Sequence, residues 1–194
     1  NPELQINTIC ALAAFQGREF AWKSEEEPGR IPHEVRDSGD PQGARIAAES
    51  AWHFPYYGSI DATLLWITAL DEVAHNDPSI LDRQINGQSL AQRAELAASW
   101  ILNRLDSGSG YIRSNRANPQ GILNQVWKDS GDSYLTISGK VATGSATVSV
   151  ETISQTFDAL LAASRLAMLS TYHWQFTPTE LVFAAETLKQ RLLN

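Results

Sequence analysis

The sequence predicts an all-α protein, and three observations carry that reading. Its long apolar patterns repeat at helical spacing, helix start signals recur along it, and its strand-like stretches are few, short and scattered. The chain has 194 residues, 43% hydrophobic and 19% charged, enough for one core of ordinary domain size. A helix is predicted over 2–16, opened by Pro2 and stopped by Gly17. A second is expected from about 59 to 74, and Asp77-Pro78 then starts a short helical turn or small helix. In 90–105, Leu90, Ala94, Ala97, Ile101 and Leu105 form one apolar stripe. Residues 151–169 repeat the pattern with Ile153, Phe157, Leu160, Leu161, Ser164 and Met168. The helix over 178–193 has a strong start, with Thr177 as cap, Pro178 at the first helical position and Glu180 completing a capping box. Strand candidates are confined to 111–113, 134–137 and 146–150.

The connections say more about function than the helices. Residues 17–58 and 106–150 each span about 40 residues, far beyond the roughly 12–15 at which loops become unusual. The connections around 75–89 and 170–177 are shorter. If successive helices run up and down, both long loops fall at the same rim, and long loops gathered at one end of a helical scaffold usually form a site.

Composition removes several classes of function. A net charge of -7 and a pI near 5.0 argue against a nucleic-acid or anionic-membrane surface. No apolar run approaches the ~20 residues that cross a bilayer. A single cysteine, Cys10, excludes an internal disulfide framework and a cysteine metal cluster. His33, His53, His75 and His173 lack metal-ligand spacing. The segment from Asp106 to Tyr111 resembles a calcium loop, but Ala117 stands where a bidentate Glu is needed, so a tight turn is expected there. Gly139-Lys140 lacks the rest of a phosphate loop, and no Gly-x-Ser-x-Gly elbow occurs. The chain begins Asn-Pro, with neither a signal peptide nor an initiating Met, so a longer parent polypeptide is expected.

The two loops are rich in groups that suit a sugar. The first carries residues 25–36, with Glu25, Glu26 and Glu27 read as a solvated charge run, and ends in Trp52, His53, Phe54, Pro55, Tyr56, Tyr57 and Gly58. The second carries Asn124, Gln125, Val126, Trp127, Lys128, Asp129, Ser130, Gly131, Asp132 and Ser133. Indole and phenol rings cover the apolar C–H faces of a pyranose, while amides, hydroxyls and carboxylates take its hydroxyls. Glycoside hydrolysis usually needs two carboxyl groups, one of them a proton donor. Asp129 is the acid candidate, because the indole of Trp127 nearby would desolvate a carboxyl and hold its proton. Trp66, Trp100 and Trp174 are expected in the core, with Trp22 and Trp52 open to either role. The bland alternatives are a turn cap through Ser130 and Gly131 for Asp129, a structural carboxylate for Asp132, and a favoured charge at a helix N-terminus for Asp61.

At these residues the chain resembles the bacterial amylo-α-1,6-glucosidase family, the glucosidase part of glycogen debranching enzymes. The matching segments are Pro28-Gly29-Arg30-Ile31-Pro32-His33-Glu34-Val35-Arg36, Pro55-Tyr56-Tyr57-Gly58-Ser59-Ile60-Asp61-Ala62-Thr63, and Asn124-Gln125-Val126-Trp127-Lys128-Asp129-Ser130-Gly131-Asp132-Ser133. Val126 stands where a glycine is common in the family. The resemblance spans nearly the whole chain and implies an (α/α)6 barrel, twelve helices in two rings with the site at one rim. It implies an inverting hydrolase of α-1,6 glucan branch points, cytoplasmic and without a cofactor. Asp129 would be the catalytic acid and Asp61 would hold hydroxyls of the glucose. Tyr56, Tyr57, Trp127 and Lys128 would line the pocket, with Glu34 and Arg36 close to it and Gln125 and Asp132 among the substrate-binding residues. The family's general base lies in a later segment. Residues 1–194 are therefore expected to be a partial barrel, its remaining helices supplied by the same longer polypeptide. The alternatives are a barrel glycosidase of another linkage (trehalase-like or mannosyl-transferring), a non-catalytic sugar-binding module, and a purely structural helical scaffold.

Overall fold

In a computed structural model of the chain, which describes residues 2–107, 110–142 and 147–194, helices dominate. The described residues hold six α-helices: α1 (Pro2–Ala14), α2 (Pro41–Ser50), α3 (Asp61–Asn76), α4 (Leu90–Ser107), α5 (Val150–Leu169) and α6 (Pro178–Leu193). A 3₁₀ turn over Pro78–Asp82 matches the short helical element expected after Asp77. A two-stranded ribbon, β1 (Gln84–Ile85) and β2 (Gln88–Ser89), turns through Asn86-Gly87 with both residues at positive φ. Asn-Gly is a hairpin signal that the sequence reading passed over.

Five of the helices lie where their periodicity puts them. The capping box of α6 forms as expected, Thr177 Oγ1 accepting from Glu180 N while Glu180 takes the Thr177 N–H. The sixth, α2, is a correction: the 17–58 connection is not helix-free. Asp40 caps α2 by accepting from Gln42 N, and Pro41 occupies its first turn. This is the same Asp-Pro signal that opens the turn after Asp77. The strand candidates shrink to single bridges, Ser114 with Thr147 and Leu135 with Val141. Ala146 lies outside the described residues, as do residues 108 and 109 of the expected turn at 106–111.

The order of contacts sets the helix directions. Asp71 and Arg165 pair at 2.6 Å in the C-terminal halves of α3 and α5. The N-terminal ends of both helices meet the 106–150 loop, so α3 and α5 run parallel. α1 runs against α3, since Gln5 bonds Glu72 while the Trp66 indole donates to the Ile9 carbonyl. α6 returns along α5, its Pro178 carbonyl accepting from Ser164 near the end of α5. In α4, buried Glu95 accepts from Tyr172 and from Gln175 N just after α5, so α4 also runs against α5.

The core lies between these helices. Leu64, Ile67 and Leu70 of α3 are fully buried, as are Ala94, Ala97 and Ala98 of α4 and Ala159, Ala162 and Ala163 of α5. Small side chains at those faces let the helix backbones approach closely. Trp66, Trp100 and Trp174 are buried as expected, whereas Trp22 is exposed. None of the described helices is long and apolar enough to cross a membrane.

Candidate functional site

The two long connections meet at one end of the helices. Arg30 is the knot. Wholly buried, its guanidinium donates to the Glu25 carbonyl, to Glu27 Oε1 at 3.1 Å and, across the loops, to Gln125 Oε1 at 2.8 Å. Burial pulls its pKa down to about 10, a shift that neighbouring Glu27 opposes. Glu27 also accepts from Arg104 and from the Trp100 indole, which ties the first loop to α4. Gly29 makes this approach possible: a Cβ there would meet the Leu96 carbonyl at 2.2 Å, and its φ is +87°.

Glu25 forms a second tie between the loops. Its carboxylate accepts from Ala117 N at 2.8 Å and Asn118 N at 2.7 Å, and only 3% of the residue is exposed. Its backbone sits in the left-handed region at φ 59°, a conformation that surrounding bonds must hold in place. The expected solvated charge run is thus overturned. Glu25 is buried, and Glu26 and Glu27 are half-buried, because each carboxylate finds donors in the fold.

The second motif is woven into this frame. Tyr56 is fully buried, stacks on Trp52 at 4.0 Å, and its hydroxyl accepts from Ile122 N of the other loop. Burial pushes its phenol up to about 12. Tyr57 is buried with its hydroxyl donating to the Phe15 carbonyl, and burial raises its pKa too. Gln125 is buried, its carbonyl accepting from Ile60 N at 2.7 Å. Tyr56 and Tyr57 were expected to line a pocket and Gln125 to bind substrate, and here all three stand behind the surface. Their polar groups are engaged in bracing the loops, with one exception: the Gln125 side-chain amide nitrogen has no partner.

The remaining predicted residues are half-buried or exposed. Asp61 opens α3, half-buried, its Oδ1 accepting from Ser59 Oγ at 2.6 Å. Glu34 bridges to Tyr56 through its backbone and pairs with Arg36, which also holds Asp40 at 2.7 Å. That pairing raises the Arg36 pKa and lowers that of Asp40. Trp127 is 60% exposed, and Asp129 and Asp132 are exposed beside it. The indole therefore does not cover the Asp129 carboxyl as the sequence reading expected. Lys128 lies 5.1 Å over the Trp127 ring and forms an ion pair with Glu151 at 2.5 Å. The hydrogen bond between them raises the Lys128 pKa and lowers that of Glu151.

Glu151, in the first turn of α5, is a functional candidate that the sequence analysis does not single out. It anchors the Trp127-Lys128-Asp129 segment to the first turn of α5, while the Ile60–Gln125 bond anchors the same stretch to the start of α3. Asp61 and Asp129 are thus carried at one end of the parallel helix pair, where helix N-termini favour negative charge. Among the described residues no group of three or more His, Cys, Asp or Glu is placed to hold a metal ion. The chain has no match among family models, curated proteins or solved structures.

Proposed function

We infer that this chain is part of a cytoplasmic α-glucoside hydrolase that releases glucose from α-1,6 branch points of a glucan. The observation that carries the reading is the interlock of the two long loops. Arg30, Glu25 and Tyr56 tie them together, so that Asp61, Trp127 and Asp129 share one rim. The parallel pair α3 and α5, with α1, α4 and α6 running against it, is consistent with inner and outer helices of an (α/α)6 barrel. The remaining helices would come from the same longer polypeptide.

Asp129 donates a proton to the departing glycosidic oxygen as water attacks the anomeric carbon. A second carboxylate, from that later segment, takes the water's proton; inverting enzymes hold the two carboxyl groups roughly 6.5–9.5 Å apart. Asp61, at the start of α3, accepts from glucose hydroxyls, while the exposed Trp127 face covers the ring. Lys128, drawn toward Glu151, orients the segment that carries the acid.

Asp129→Asn tests the assignment. Glucose release from a branched α-1,6 oligosaccharide should fall about 10²–10⁴-fold, the usual contribution of a general acid, with binding and unfolding midpoint retained. An Asn variant as fast as the wild type would sink the role of Asp129. The exposure of both Trp127 and Asp129 favours one second reading, a non-catalytic sugar-binding module, and binding without turnover by the native protein would select it.

A further inference from the structure

A cavity of about 370 Å³ lies where the end of α1, the first loop, the β1–β2 ribbon and the start of α4 meet. Gln16, Arg18, Asn86, Gln88 and Arg93 are its polar residues, and no aspartate or glutamate lines it. None of the residues assigned above to the sugar site borders it. In a chain with 22 acidic and 15 basic residues, a cavity walled by two arginines and no acid is a local reversal of charge.

Arg93 is the unusual group. Only 1% of it is exposed, yet its guanidinium meets neutral acceptors alone. The Ile85 carbonyl lies 2.8 Å from Nη2 and 3.3 Å from Nε, and Gln16 Oε1 lies 3.4 Å from Nη1. These bonds use three of the five N–H groups that a guanidinium carries. Arg30, the other fully buried arginine, pairs with Glu27, whereas no ion pair reaches Arg93 or Arg18 among the described residues. A buried ion without a counter-ion is strongly unfavourable, and the first turn of α4 carries no acidic residue to offset this one. Burial lowers the Arg93 pKa, and the charge of Arg18 lowers it further. Arg18 itself is exposed; Glu26 accepts from its backbone N–H but borders a different cleft.

Guanidinium forks match the oxygens of phosphate and carboxylate groups, and two of them suit a doubly charged ligand. Gln88 adds a side-chain amide that makes no hydrogen bond among the described residues. We propose that the cavity lined by Arg93, Arg18 and Gln88 is a binding site for a small oxyanion, a phosphate group either free or as its monoester. Its volume falls within the range of small-molecule sites, about 300–1,000 Å³, so a substituent on the phosphate has room. The site adjoins the frame of the first loop. Gln16 Nε2 donates to the Arg93 carbonyl at 2.9 Å and to the Gly29 carbonyl at 3.0 Å, and Gly17 N donates to the Arg30 carbonyl at 2.8 Å. A bound anion would therefore stabilise the folded chain at the junction that carries the Arg30 hub.

Calorimetry on the native protein tests the site, with inorganic phosphate as titrant and chloride holding the ionic strength fixed. One phosphate should bind saturably, and the unfolding midpoint should climb with phosphate concentration. Because Arg93 also supports the Ile85 carbonyl, the decisive variant is the exposed Arg18. Arg18→Gln should raise the phosphate Kd about tenfold, and Gln88→Ala by a smaller factor, with the phosphate-free midpoint unchanged. Arg45→Gln, which removes the same charge from the exposed surface of α2, should leave the Kd at the wild-type value. Equal weakening in Arg45→Gln reduces the effect to general electrostatics and overturns the site. Affinity indifferent to Arg18, or wild-type protein that takes up no phosphate saturably, overturns it as well. Glycerol 2-phosphate binding tighter than the free ion assigns the cavity to monoesters, and binding no tighter assigns it to the free ion; either result upholds the oxyanion. None of these measurements uses hydrolysis, so the proposal stands or falls independently of the glucosidase reading.

Discussion

Residues 25–36 and 127–142 both set charged groups among apolar ones, yet they end in opposite environments. In the first stretch Glu25, Arg30 and Ile31 are buried, and its bonds reach across to Gln125, Ala117, Asn118, Arg104 and Thr63. In the second, Trp127, Leu135 and Ile137 are exposed, and the bonds of 130–142 stay within the loop. The difference lies in available partners. A carboxylate or guanidinium enters the interior only where several fixed donors or acceptors replace its water, and α4 with the 114–125 segment supplies them to the charged groups of the first stretch. The lesson is that the braced stretch holds the frame and the open one presents the chemistry.

Three substitutions break or sharpen that contrast. The largest effect is expected at Arg30. Arg30→Met strips the wholly buried hub and leaves Glu27 and Gln125 short of a donor, so urea unfolding should register a loss of about 3–5 kcal/mol. A loss below about 1 kcal/mol would mean the loops are held elsewhere.

Glu25→Ala comes next. It orphans two backbone N–H groups, at Ala117 and Asn118, and should cost about 2–3 kcal/mol. Hydrogen exchange should accelerate at those two amides while the core of α3 stays protected. Acceleration throughout the chain would show instead that Glu25 supports the whole fold rather than one junction.

The smallest effect belongs to the open stretch, at Glu151→Gln. Lys128 and Glu151 are solvent-facing, so their pair is recognised by its pH signature rather than its size. Glu151 has a lowered pKa, so its contribution is present above the usual carboxylate value and is lost as pH falls through the depressed one. Lys128 has a raised pKa, so its contribution is present below the usual ammonium value and is lost as pH rises through the elevated one. The difference in Tm between wild type and Glu151→Gln should therefore be steady from about pH 4.5 to about pH 10.5 and fade beyond both ends. A difference that ignores pH would remove the ion pair from the account.

Much of the helical scaffold was legible because helix formation is a local problem. The apolar stripes of α4 and α5, the capping box at Thr177 and the Pro-led starts report on residues three or four apart. Asp40-Pro41 is the same kind of local start signal for α2, although that helix lies inside a connection. The placing of both long loops at one end matches the alternation of α1, α3, α4 and α5, which α2 leaves unchanged because it lies within the first connection. Which loop residues would be walls and which would be braces did not follow. Tyr56, Tyr57 and Gln125 have the same chemical equipment as exposed sugar-binding groups, and only the packed structure turns their polar atoms inward.

Sequence by itself, then, determined an α-helical chain with two long connections, because periodicity and caps are short-range properties. The tertiary structure alone decided that the 25–27 carboxylates are structural, that Lys128 turns to Glu151, and that Asp129 stands in the open. The physical reason is that a polar group's fate depends on desolvation and on partners many tens of residues away, as with Glu25 and Asn118 or Arg30 and Gln125, and no local pattern encodes those distances.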